Sequence, residues 1–241
     1  MARFVIVHGA FEGAYCWEPI ADRLRRAGHT VDNPDLPGAG ADTTPVEDVT
    51  LQAYVDSTCE VLRGDEEPAV LVAHSMGGMV TTQATAQCAD RIAQLVYVSA
   101  FLPEDGESLK SLASLPEGAA DGVQRNMVVE GDPPVATLPA EAGREVLYGE
   151  CPPDVADEAA AKLAPQAAAP FVEPVRIDDD HGIPRRYVFC TKDKAIPLEL
   201  QKRMVREAPC VETAELHTDH SPFYSMPDEL TRILVDFASR S

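Results

Sequence analysis

One serine in the chain stands where nucleophilic chemistry is feasible. Val70-Leu71-Val72-Ala73-His74-Ser75-Met76-Gly77-Gly78-Met79 reads as a buried strand, a small-x-Ser-x-Gly turn and the start of a helix. A sharp turn there exposes the hydroxyl, and small neighbours let strand and helix approach closely. Ala73 replaces the commoner glycine and adds only a methyl group; the competing reading is a serine that merely caps a helix. A serine hydroxyl is a poor nucleophile at neutral pH unless a base takes its proton and an acceptor orients that base. Two later segments supply both. The strand-like run 186–191 leads into Lys192-Asp193-Lys194, and 211–216 leads into His217-Thr218-Asp219-His220. Ser75 is therefore the candidate nucleophile, His220 its base and Asp193 the orienting acid. His217 is the second choice of base, Glu104 and Asp105 are fallback acids, and Asp219 has a loop role. His8 and His74 read as packing residues at strand ends and His29 opens a strand; His181 lies in a solvated loop with Asp178, Asp179 and Asp180.

Acyl transfer also needs preorganised N–H donors for a developing oxyanion, each worth about 3 to 4 kcal/mol. The expected donors are the backbone of Met76, just after the serine, and of Ala10, in the Gly9-Ala10 loop after the first strand. Gly9 and Gly13 do not fit the G-x-G-x-x-G turn of a dinucleotide site. Phe11, Trp17, Phe101, Leu102, Phe171 and Phe223 flank these motifs or fall in the middle of the chain; they are the pocket candidates, half of them expected to be core.

The elements that must position these groups follow from periodicity. Short apolar runs at 3–8, 29–34, 69–74, 95–100, 186–191 and 211–216 predict six strands. Helical stripes separate them: Trp17, Ile20, Ala21 and Leu24; then Leu51, Tyr54, Val55, Thr58, Val61 and Leu62. A last helix carries Leu230, Ile233, Leu234 and Phe237, with Pro227 in its first turn and Ser225 and Asp228 spaced as a capping box. This alternation predicts an α/β fold with a mainly parallel sheet covered by helices on both faces and ligands beyond the carboxyl ends of the strands. From 103 to 182, Pro, Gly, Ala and acidic residues dominate, with one helix opening at Pro152-Pro153-Asp154 and a helical reading for alanine-rich 158–169. We expect a cap there, inserted after the fourth strand, with 1–102 and 183–241 forming the core.

A chain of 241 residues, 45% of them hydrophobic, suits one such domain. Twenty basic against 40 acidic residues leave a net charge of −20, which repels nucleic acid and anionic membranes. No apolar run approaches the roughly 20 residues of a membrane span, and the strand at 3–8 leaves no room for a signal peptide, so a cytoplasmic protein is expected. Cys16, Cys59, Cys88, Cys151, Cys190 and Cys210 show no metal spacing and read as buried thiols. The expected partner is a small molecule.

The residues of several motifs together resemble a family. His8-Gly9-Ala10-Phe11-Glu12-Gly13-Ala14-Tyr15-Cys16-Trp17, Asp35-Leu36-Pro37-Gly38, Ala73 to Gly78, Ser99-Ala100-Phe101-Leu102-Pro103 and Cys190-Thr191-Lys192-Asp193-Lys194-Ala195-Ile196-Pro197 resemble the plant-type methyl esterase and hydroxynitrile lyase branch of the α/β-hydrolases. The resemblance covers nearly the whole chain and is weakest across the cap. It implies the α/β-hydrolase fold, the triad Ser75, Asp193 and His220, and the donors Ala10 and Met76. Lyases of this branch carry threonine where this chain has Gly9 and lysine where it has Ser221, so the resemblance implies the esterase side: hydrolysis of a small apolar or aromatic ester, with no metal or organic cofactor. Glu12 departs from the histidine common there. Lactone, thioester, C–C or cyanohydrin cleavage, and a ligand-binding role, remain alternatives, because a serine triad does not name its substrate.

Overall fold

A computed structural model describes residues 1–179 and 181–240; Asp180, named above beside His181, lies outside them. Its strands and helices run in chain order β1 (Arg3–Val7), α1 (Glu18–Arg26), β2 (Thr30–Asp32), α2 (Leu51–Arg63), β3 (Ala69–Ser75), α3 (Gly77–Cys88) and β4 (Ile92–Ala100). The middle of the chain adds α4 (Leu109–Ala113), α5 (Gly122–Asn126), β5 (Val128–Glu130), β6 (Val135–Thr137), α6 (Ala140–Leu147), α7 (Pro153–Ala161), β7 (Gln166–Ala167) and α8 (Ala169–Val172). The chain then returns through β8 (Arg185–Cys190), α9 (Leu198–Glu207), β9 (Glu212–Leu216), α10 (Pro222–Ser225) and α11 (Pro227–Ala238).

All six expected strands form, in the order β2-β1-β3-β4-β8-β9, and every pairing is parallel. Successive side chains on a strand face opposite ways, so Phe4 and Ile6 join Val70, Val72, Val96 and Val98 under α1 and α11. Val5 and Val7, with Leu71 and Ala73, pack on the other face with Tyr54 and Val55 of α2 and Met79 and Val80 of α3. The carboxyl ends of β1, β3, β8 and β9 therefore point the same way, and the loops leaving them meet at one edge.

Three expectations need correction. The last helix has its buried stripe and Pro227, but Met226 is its N-cap and no side chain caps it. Ser225 Oγ instead donates to the Ser221 carbonyl at 3.1 Å, and Asp228 pairs with Arg23 at 2.8 Å. Cys59 and Cys88 form a disulfide, because α2 and the end of α3 pack with these Cα atoms 5.9 Å apart; Cys16, Cys151, Cys190 and Cys210 are free. The alanine-rich segment is not one helix. α7 stops at Ala161 and Pro165 follows, disfavouring helix at the residue before it, so the chain turns into β7.

Between β4 and β8 the chain leaves the sheet. Besides short helices it builds a three-stranded antiparallel sheet, β5-β6-β7, that the sequence reading missed. Its strands are two or three residues long and bounded by Pro and Gly, too short for a period-2 pattern to register.

Candidate active site

Ser75 ends β3 with φ of +54° and stands half-buried at the start of the turn into α3. A left-handed conformation at a non-glycine residue costs about 1 to 3 kcal/mol and persists only where packing enforces it. Here the enforcement is visible at Gly77, where a Cβ would lie 2.5 Å from the Val7 carbonyl oxygen. Phe11 and Ser99 also have positive φ, so strained backbone gathers around this serine.

Asp193, in the loop after β8, is buried. Its Oδ1 accepts the N–H groups of Ala195 and Ile196 at 2.6 and 2.9 Å, and its Oδ2 accepts His220 Nδ1–H at 2.7 Å. The second expected acids lie elsewhere: Glu104 and Asp105 are exposed, and Asp105 accepts the Ile177 N–H. Burial opposes charging His220, but Asp193 outweighs it through charge and hydrogen bond, helped by Glu12 and Asp219, so the imidazole titrates above its ordinary value. With Nδ1 donating to Asp193, Nε2 is the free acceptor, and both Ser75 and His220 line one cavity of about 320 Å³. No hydrogen bond joins Ser75 to His220, and such contacts commonly tighten only when substrate binds. His217 is exposed, bonded to Thr191, and does not line the cavity. Asp219 accepts the Glu150 N–H at 2.7 Å and so ties the middle segment to the histidine loop.

Ala10 and Met76 line the same cavity, and among the described residues neither N–H meets an acceptor. Of the six pocket candidates, Phe11, Phe101 and Phe171 line it. Trp17 and Phe223 do not: both are fully buried on the opposite side of His74, with ring centroids 5.9 and 5.1 Å from it. Leu102 is core as well, its N–H on Met204 Sδ, since the chain after β4 turns Phe101 alone to the cavity. Leu109, Val123, Met127, Leu147 and Ile196 complete apolar walls. Asp121 also lines the cavity; it caps α5 and accepts Gln124 N–H at 3.0 Å, and burial pushes its carboxyl up to about 6.

Known proteins similar in sequence and fold place the chain in a family. Residues 4–233 match the alpha/beta hydrolase family. The chain belongs to that family. Among relatives of this alpha/beta hydrolase, methylesterase 7 of Arabidopsis thaliana is 30% identical over 99% of this chain and 96% of its own length. A carbendazim hydrolyzing esterase of Nocardioides sp. is 30% identical over 98% of this chain and 99% of its own. Among solved structures, polyneuridine aldehyde esterase superposes with a TM-score of 0.86 at 26% identity, covering 98% of this chain and 99% of that one.

Three residues of this hydrolase's site escaped the sequence reading in their roles. Ser99, at the end of β4, donates its hydroxyl to Asp193 Oδ2, a second grip on that oxygen. The signal was a serine next to the last residue of a buried, mainly apolar strand. Glu12 is buried with Oε1 accepting the Tyr148 hydroxyl at 2.8 Å, and His74, fully buried, bonds through Nε2 to the His220 carbonyl at 2.9 Å. Lys192 and Lys194 turn outward to Glu150 and Glu145, and Ser221 is fully buried outside the cavity lining.

Proposed function

We propose that this hydrolase cleaves small apolar carboxylic esters through an acyl-enzyme on Ser75, with 103–182 as the cap over the substrate. The observation that carries the reading is one cavity holding a serine at positive φ, a histidine whose Nδ1–H is fixed on a buried carboxylate, and two N–H groups without acceptors. His220 Nε2 takes the Ser75 proton as Oγ attacks the ester carbonyl, and the Ala10 and Met76 N–H groups receive the oxyanion. Collapse breaks the C–O bond, the imidazolium protonates the departing alcohol, and a water deprotonated by the same histidine releases the acid. Asp193 fixes the tautomer throughout. The names of the relatives, all esterases, agree with this chemistry.

Apolar walls around Phe11, Phe101 and Phe171 favour an aliphatic or aromatic substrate. The lyase alternative lacks its two groups: Gly9 offers no hydroxyl, and Ser221 no cation for a departing cyanide. The deciding experiment follows acid and cyanide release from p-nitrophenyl esters of graded length, methyl esters and mandelonitrile. Ester hydrolysis without cyanide release is expected. Serine-dependent cyanide release exceeding ester cleavage overturns the reading, and tight binding without turnover of any substrate makes the protein a binding module.

A further inference from the structure

Glu12 Oε2 and His74 Nδ1 are both buried, both without a hydrogen-bond partner, and 3.6 Å apart. The other half of each group is satisfied. Tyr148 from the cap donates to Glu12 Oε1 at 2.8 Å, and His74 Nε2 must carry a proton because its partner at 2.9 Å is the backbone carbonyl of His220. If His74 were neutral and Glu12 ionised, two lone pairs would face each other in a buried site, and two buried polar atoms would stay unsatisfied at about 1 to 3 kcal/mol each. One added proton between Nδ1 and Oε2 removes both penalties.

We propose that Glu12 and His74 form a positioning dyad behind the general base: they hold one shared proton and fix the His220 backbone through His74 Nε2–H. This rests on His220 being the base. The dyad is sterically set. The His74 ring lies 4.5 Å from the His220 ring, boxed by Trp17 and Phe223, and a Cβ on Gly9 would stand 2.9 Å from His74 Nδ1 and 3.4 Å from Glu12 Oε2. Burial opposes ionising Glu12, yet His74, Tyr148 and His220 together hold its carboxyl below the ordinary range.

Other charged groups around the pair are His8 after β1, Asp35 after β2, and Asp193 and Asp219 beside His220. Burial keeps His8 below its usual value and raises Asp219. Tyr15, Cys16, Tyr148, Cys151 and Tyr224 also surround Glu12, and burial raises each of them, so they stay neutral through the working range. Glu12 thus reaches His74 from the loop after β1 and is held by the Tyr148 hydroxyl.

The variant Glu12→Gln keeps shape and hydrogen bonds, since its amide N–H can reach a neutral His74 Nδ1 while Tyr148 still has an acceptor, but it removes the charge and the shared proton. The expected result is a plateau kcat below wild type but above that of Glu12→Ala, with a melting temperature near wild type. Glu12→Ala, which frees His74, should lower plateau kcat about 10- to 100-fold with KM little changed. An independent readout needs no variant: ¹⁵N-histidine spectra of the resting wild-type protein near pH 7 should place a proton on His74 Nδ1. An unprotonated Nδ1 overturns the proposal, as does a folded Glu12→Gln protein no more active than Glu12→Ala. Because the spectra involve no turnover, failure of the Ser75–His220 mechanism would appear separately, as activity surviving in Ser75→Ala.

Discussion

The perturbation Asp193→Asn follows atom by atom from the hydrogen bonds of the carboxylate. Oδ1 accepts two backbone N–H groups, from Ala195 and Ile196. Those donors admit only an oxygen, so the asparagine amide must turn its NH₂ toward His220 Nδ1, which lies 2.7 Å from Oδ2. A donor there forces Nδ1 to accept and moves the ring proton to Nε2, the atom that must take the Ser75 proton. The base is then blocked although the fold is intact. Loss of the orienting acid by this tautomer switch costs about 10⁴ in kcat in serine triads, or about 5 kcal/mol at about 1.36 kcal/mol per tenfold. The assay is steady-state hydrolysis of p-nitrophenyl acetate beside thermal melting of the same preparation. A folded Asp193→Asn protein keeping more than about a tenth of its activity refutes the reasoning. Loss of activity in Glu104→Gln instead would move the acid to the end of β4.

Other outcomes follow from the same site. Ser99→Ala removes one of four hydrogen bonds to Asp193, and since that carboxylate is anionic in both ground and transition states, kcat should fall less than about tenfold while stability drops by about 1.5 to 3 kcal/mol; melting and kinetics on one preparation check the split. With His220 as the proposed base, activity needs its neutral form, whose titration is raised, so the acid limb of kcat/KM should lie above that of free histidine, with activity lost as pH falls through it; a pH–rate profile reads this directly. Asp121 ionises at about 6 in the fold against 3.8 ordinarily, so its folded-state value is raised and its ionisation disfavours the native state above that range. Asp121→Asn, which keeps an N-cap, should therefore raise the melting temperature at pH 8, and the gain should vanish by pH 4.

Much of this site could be read from the sequence because its parts lie at the carboxyl ends of parallel strands. β1, β3 and β8 announced themselves by apolar runs, and the residue types just beyond the strands are few enough to nominate Ser75, Asp193, His220, Ala10 and Met76 as candidates. What was hidden depends on contacts between distant segments. His74 looked like strand packing because its role comes from Glu12, 62 positions earlier, and from the His220 carbonyl, 146 later. Trp17 and Phe223 looked like pocket walls because aromatic composition cannot tell which side of His74 a ring occupies. The β5-β6-β7 sheet was invisible because its strands are shorter than any periodic signal, and Asp121 acquires its raised titration chiefly from burial in the folded chain.

The most direct test of the central claim is trapping of the acyl-enzyme. Purified protein is mixed with a p-nitrophenyl ester, quenched in acid and mapped by peptide mass spectrometry, alongside Ser75→Ala of matched melting temperature. The account predicts an acyl group on Ser75 in the wild type, none in the variant, and a loss of about 10⁴- to 10⁶-fold in kcat. An acyl group on another residue, or a folded Ser75→Ala protein that hydrolyses the ester at near wild-type rate, would contradict it.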